Sequence, residues 1–339
     1  MPPLYVTTQG ARLRYRQRRW VVEKDDETVT TVPAIHVDGV ILVGNVSVTT
    51  PALSHLLADD IPTAFLTVHG RYKGRLVGPV DGHAPLRLHQ YARVTDEPWA
   101  LETARALVTG KLHNTRTFLR RYARRMRDEP ARSVPLTDAA DRVDAGMARA
   151  AHCQTANSLR GVEGRAAAAY FGVLRHLIRA PGWTFETRNR RPPRDPVNAL
   201  LSFGYTLLTQ QMESAVRTVG LDPYLGFLHR PAYNRPGLAL DLVEAFRTIV
   251  VDSVVLGCLN GGQIQPDAFT YEPGGEYPVL LNDEGRAAFI QAFETRLALE
   301  FTHPDLEERV SYRRCFELQA RRMARCVQTG ARYEPFTVR

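Results

Sequence analysis

The spacing of apolar residues changes once along this chain. Through roughly the first 78 residues they alternate with polar ones, and turn formers separate the runs, a pattern that predicts short strands. Residues 4–7 open the chain and Gln9-Gly10 reads as a turn. Strands are expected over 12–16, 20–23, 29–33, 35–43 and 63–68. Asp25-Asp26-Glu27 separates two of them and marks a hairpin. Thr50-Pro51 opens a short helix, with the threonine as cap and the proline in the first turn. Residues 71–86 are rich in glycine and proline and read as the connecting stretch, with a short strand at Leu76-Val77.

Beyond that stretch the period becomes helical. Within 115–127, Phe118, Tyr122 and Met126 fall on one stripe, and Arg116, Arg120, Arg124 and Arg127 on another. Residues 130–135, bounded by prolines, are expected to break the pattern. Helices follow over 138–153 and 161–179, and an arginine- and proline-rich loop spans 188–196. Residues 198–219 form a long buried helix that Gly220 stops. Helices over 238–256, 284–299 and 311–328 complete the chain. The expected fold class is α+β in two domains: a small N-terminal β domain over 1–78, a linker over 79–90, and a larger all-α catalytic domain over 91–339.

Composition narrows the function. The chain has 339 residues, 44% of them apolar, which is ordinary for a protein with a sizeable core. No apolar run is long enough to suggest a membrane span, and the N-terminus does not resemble a secretory signal. A cytoplasmic protein is expected. Net charge is +8, carried mostly by arginine, which favours polyanionic partners and bidentate phosphate contacts. The four cysteines form no CxxC pair, so reduced structural thiols are expected rather than zinc or disulfides.

The candidate chemistry is a divalent-metal site. His229 ends an apolar segment full of turn formers, 220–229. Asp241 and Glu244 share a helical face soon after, extended by Thr248 and Asp252. Carboxylates with one imidazole suit magnesium or manganese. Glu163 offers a further ligand, placed at the start of a helix, where acidic groups are favoured. Taken singly, each has an ordinary explanation: a first-turn glutamate, a core or loop histidine, a solvated acidic face.

Four segments carry a family likeness. The run Gly161-Val162-Glu163-Gly164, with Ala167, Tyr170 and Phe171 behind it, resembles the first catalytic motif of the CRISPR adaptation integrases, the "Cas one" family of spacer-acquisition endonucleases. Residues 198–208 resemble that family's central helix, 221–229 its histidine motif, and 240–247 its last acidic motif, all in family order. Residues 4–10 and 65–71 resemble its β domain.

That resemblance implies Glu163, His229 and Glu244 as ligands of Mg2+ or Mn2+, and gives Asp241, the neighbouring acid of the last motif, a lesser role behind the ligands or in the polarity of its helix. It implies strand transfer, in which the 3′-hydroxyl of a captured DNA fragment attacks a phosphodiester at a repeat boundary, and nuclease activity when water replaces the hydroxyl. It implies a homodimer, two of which are bridged by a small "Cas two" subunit on double-stranded DNA. Arg116, Arg120 and Arg124 on one helix, and Arg190 and Arg191 in the loop, are candidates for backbone contact with that DNA. Asn198 reads as the cap of its helix, with lining of the site through its amide as the alternative. A scaffold that binds DNA without catalysis, or a metalloenzyme acting on small molecules, are the competing classes. Alanine at Glu163, His229 or Glu244 is expected to abolish strand transfer and leave the fold intact.

Overall fold

The computed structural model describes residues 2–338 apart from 69, 79–82, 191, 273, 276 and 277. Two four-stranded sheets come first. Strands β1 (Leu4–Val6), β2 (Arg12–Arg16), β3 (Arg19–Lys24), β4 (Glu27–Pro33), β5 (Val40–Val43), β6 (Ser47–Val48), β7 (Thr63–Leu66) and β8 (Tyr72–Arg75) divide into the orders β1-β5-β7-β8 and β4-β3-β2-β6. β2, β3 and β4 form two hairpins. Gln17-Arg18 and Asp25-Asp26 turn them with both residues at positive φ, the geometry that matches strand twist in two-residue turns. Leu13, Trp20 and Val22 pack from this meander against Val40, Leu42 and the helix α1 (Thr50–Ala58). The expected run over 35–43 is divided: a single 3-10 turn covers Ala34–His36 before β5. The expected strand at Leu76-Val77 lies earlier, at β8. α1 is preceded by Thr49, whose side chain makes no capping bond, so the proline in its first turn marks its start without a hydroxyl cap.

Helices follow: α2 (Ala84–Thr95), α3 (Glu97–Arg125), α4 (Pro130–Ala151), α5 (Ala156–Val173), α6 (Pro196–Thr218), α7 (Gly237–Val243), α8 (Ser253–Asn260), α9 (Asp283–Ala298) and α10 (Tyr312–Thr329). Two short ribbons punctuate them, β9 (Phe269–Tyr271) with β10 (Val279–Leu281), and β11 (Glu300–Thr302) with β12 (Arg309–Ser311). The prolines at 130 and 135 do not break the chain. Pro130 takes the first turn of α4, and Pro135 lies inside it near its start, where it forfeits a single ladder donor. α3 is 29 residues long and runs through the middle of the helical core, packed on α4 and α5. Its buried face carries Leu107, Val108, Leu112, Asn114 and Leu119.

Between α7 and α8 the backbone widens into a π-helix over Arg247–Asp252. The extra residue per turn shifts the register, so Asp252 does not continue the Asp241–Glu244 face. Gly204 of α6 backs onto this segment, where a Cβ would lie 2.6 Å from Val251. The chain ends in an extended strap. Phe336 is buried and stacks on Phe246 with ring centres 5.2 Å apart. Asn114 ties this strap to the site segment: its Nδ2 donates to the carbonyls of Ala245 (2.7 Å) and Phe336 (2.9 Å), and its Oδ1 accepts from the Val338 amide (2.9 Å). Among the described residues no helix is long and apolar enough to cross a membrane. The four cysteines are buried and free.

Candidate active site

Three helices and one loop supply the site. α5 begins at a capping box between Thr155 and Ser158, a full turn earlier than the sequence suggests, so Glu163 stands mid-helix and gains nothing from the helix end. α3 brings Lys111 opposite it. The Lys111 ammonium hydrogen-bonds Glu163 and lies 2.6 Å from Glu244 Oε2. The two expected acids are therefore joined by one internal cation. Arg247 adds a second, with Nε 3.3 Å from Glu244 Oε1. The Lys111 and Glu244 side chains are only 13% and 4% exposed, and Glu163 is 24% exposed.

Charge state follows from that packing. Burial would raise the Glu244 carboxyl, but Arg247, Lys111 and His229 outweigh it and hold it down at about 2. Burial disfavours the charged Lys111, yet Glu244 and Glu163 prevail and push it up. Arg247 is pushed up in the same way, against burial, by Glu244. Each ion is kept charged by its neighbours, as buried ions must be.

His229 is fixed by Asp241, whose side chain is wholly buried. The Asp241 carboxylate accepts from the amides of Phe227 (2.6 Å), Leu228 (3.0 Å) and His229 (2.9 Å), and from the His229 ring at Nδ1 (2.7 Å). An acceptor-only oxygen at that distance puts a ring hydrogen on Nδ1, so that in the neutral ring Nε2 is the nitrogen with the lone pair. Two glycines let the histidine loop close on the start of α7. A Cβ at Gly226 would lie 2.5 Å from the His229 carbonyl oxygen, and one at Gly237 would lie 2.4 Å from it. Gln90 of α2 pins the loop from behind through Asp222 (2.8 Å in each direction) and Leu225. Arg160, one turn ahead of Glu163, donates to the Leu228 carbonyl at 3.0 Å and ties the loop to α5.

Asp252 belongs to a neighbouring network. It accepts from the hydroxyls of Tyr170 and Tyr205, each at 2.6 Å. Burial pushes its carboxyl up to about 6, against those bonds and the charges of Arg247 and Arg188. Arg247 lies over the Tyr205 ring, 4.7 Å from its centre. Arg247, Lys111 and Glu163 face a cavity of about 1360 Å³, which Arg71, Arg188, Arg190 and Arg286 also line. Glu244 and His229 are not among its lining residues; they lie behind Lys111 and Arg247 and within the histidine loop.

The profile of the family described as CRISPR associated protein Cas1 matches residues 4–295. The chain belongs to the Cas1 family. It is 37% identical to CRISPR-associated endonuclease Cas1 1 of Chlorobaculum tepidum over 99% of this chain and 98% of that one. It is 39% identical to a Cas4/Cas1 fusion of Geobacter sulfurreducens over 95% of this chain, and it spans only 58% of that relative's length. A Cas1 structure from Thermotoga maritima superposes over the whole of both chains with a TM-score of 0.82 at 25% identity. The α+β fold expected from the sequence is the fold of this family.

Within this Cas1 chain the expected residues fall as follows. Glu163 and Glu244 meet through Lys111, and His229, held by Asp241, is near enough to act on the charge of Glu244. Among the described residues, no three His, Cys, Asp or Glu side chains stand within ligating range of one point. Asn198 is not its helix's cap. Asp195 takes that place, accepting from the Asn198 amide at 2.8 Å, and the Asn198 side chain knits the 187–195 loop to α6. Arg116 pairs with Asp144, and Arg120 with Asp141 (3.3 Å) and Asp144 (3.6 Å) of α4. Arg124 and Arg190 are exposed, and Arg191 lies outside the described residues. Sequence reasoning missed Lys111. The available signal was a lysine embedded among the buried positions Leu107, Val108, Leu112 and Thr115 of α3.

Proposed function

We propose that this chain is a divalent-metal-dependent DNA endonuclease and integrase that inserts captured fragments into a CRISPR array. The observation that carries the reading is the Glu163–Lys111–Glu244 bridge: two carboxylates from distant helices already share one cation, at a cavity rimmed by arginine. The donor set fits Mg2+ or Mn2+. It offers two carboxylates and the Nε2 side of an imidazole whose other nitrogen is engaged by Asp241. Glu163, His229 and Glu244 would hold the ion, and the Lys111 ammonium is its stand-in. When bound, the ion polarises the scissile phosphate and neutralises the charge that builds there.

The remaining steps belong to the chain's own side chains. The arginine rim holds the DNA backbone without reading sequence. Arg247, stacked on Tyr205 and held by Glu244, presents a fixed guanidinium to the cavity, where charge develops as the 3′-oxygen bonds phosphorus and the repeat's own 3′-oxygen departs. The incoming hydroxyl gives up a proton and the departing oxygen gains one. Asp241 keeps His229 in one tautomer and one orientation throughout. Residues 1–78 form the β domain that supplies homodimer contacts, the catalytic domain begins at α2 (Ala84–Thr95) rather than at 91, because Gln90 already braces the histidine loop, and a small Cas2 subunit bridges two dimers on double-stranded DNA in the cytoplasm.

The test is strand transfer and branched-DNA cleavage by wild type, Glu163→Gln and His229→Ala, with Mn2+ and with chelator. Loss of both activities in chelator and in either variant supports the reading. Cleavage that survives chelation overturns it.

A further inference from the structure

We propose that Lys111 is a resident counter-ion that holds the two carboxylates together before metal enters and must leave them when it does. This inference rests on the metal reading above. Two acids, Glu163 and Glu244, face two cations, Lys111 and Arg247, so the cluster is already neutral without metal. The ammonium spans both acids, one oxygen on each, and those oxygens are the ones a divalent ion would need. Glu244 Oε2 is buried and has no hydrogen-bond donor in bonding geometry, only the ammonium 2.6 Å away.

A dication drawn to the two carboxylates would take the oxygens that now compensate Lys111 and would sit a few ångströms from the ammonium, and two like charges at that distance repel. Moving the ammonium removes that repulsion. Lys111 has somewhere to go, because its side chain lines the large cavity, and a phosphate of bound DNA is the acceptor chemistry such a head would meet there. The residue type suits a mobile ion. The chain has only three lysines, Lys24, Lys73 and Lys111, in a protein whose cations are otherwise arginine. A guanidinium would hold a carboxylate bidentately, whereas an ammonium on a flexible stem is a point charge that exchanges partners.

The experiment titrates Mn2+ alone into wild type, Lys111→Met and Lys111→Arg, followed by the paramagnetic signal of the free ion, with urea unfolding in chelator alongside. Lys111→Met is expected to bind Mn2+ at least about tenfold more tightly than wild type, and to be less stable than wild type in chelator. Lys111→Arg is expected to bind no more tightly than wild type. Equal or weaker binding by Lys111→Met, while wild type binds one ion, overturns the inference and leaves the metal reading standing. A wild type that binds no Mn2+ overturns both. Should Lys111→Met fail to fold, the wild type alone decides: labelling of Lys111 by an amine-reactive reagent must rise when Mn2+ is added, and unchanged labelling in protein that has bound the ion overturns the inference.

Discussion

Asp241 grips His229 twice, accepting at Oδ1 from both its backbone amide (2.9 Å) and its ring nitrogen (2.7 Å). Two further amides bond the other carboxylate oxygen, so a single buried side chain fixes the loop, the ring and the tautomer together. Asp241→Asn keeps the shape but replaces one acceptor with a donor facing N–H groups. We expect metal affinity to fall about 10–100-fold, the usual effect of losing a partner behind a ligand. Isothermal titration with Mn2+ measures it, and affinity within twofold of wild type would show that Asp241 does not orient the ring.

Glu244 has a structural consequence as well as a chemical one. A carboxyl held at about 2 against an ordinary 4.5 adds stability that is complete above pH 4.5 and is lost as pH falls towards 2. Glu244→Gln lacks that contribution and leaves Lys111 and Arg247 buried beside a neutral amide. The variant is expected to be about 3–5 kcal/mol less stable than wild type at pH 7, with a smaller gap at pH 3. The expectation that removing any of the three ligands spares the fold therefore does not extend to Glu244. Urea unfolding at the two pH values gives the comparison; a gap that does not change with pH contradicts the assignment.

The C-terminal strap is part of the same construction. Phe336 stacks on Phe246, two residues beyond Glu244, and Asn114 bonds both segments. Phe336→Ala is expected to cost about 3–5 kcal/mol, as for other fully buried aromatics. A loss under 1 kcal/mol in denaturant unfolding would mean the strap merely lies on the surface.

The arginines divide by their partners. Arg116 and Arg120 answer acids on α4, while Arg190 is exposed on the cavity rim. Arg190→Glu is expected to weaken DNA binding equally across sequences and to lower the salt slope by about 1. Arg120→Glu is expected to do less. Salt-dependent binding titrations separate them, and the opposite ranking would return the α3 stripe to the DNA interface.

The features read correctly from sequence were those set by local chemistry. Alternation placed β2 and β3 because Leu13, Trp20 and Val22 face one core. Paired aspartates marked the turn at 25–26, and positive φ at Gly220 ends α6 where expected. Boundaries failed where context decides. Pro135 sits inside α4, and Thr155 rather than a residue near 161 starts α5. Asp252 would share the Asp241–Glu244 face in a regular α-helix, and the π-helix over Arg247–Asp252 breaks that register. Lys111 was invisible as a site residue because its meaning depends on two acids brought from α5 and the end of α7.

The central claim is that one divalent ion is shared by Glu163, His229 and Glu244. Anomalous diffraction from crystals soaked in Mn2+ tests it most directly. The account predicts a single strong peak roughly 2.0–2.6 Å from carboxylate oxygens of both glutamates and from Nε2 of His229, with the Lys111 ammonium withdrawn from between them. A peak elsewhere, or carboxylates still bridged by Lys111 with no metal between them, would contradict it.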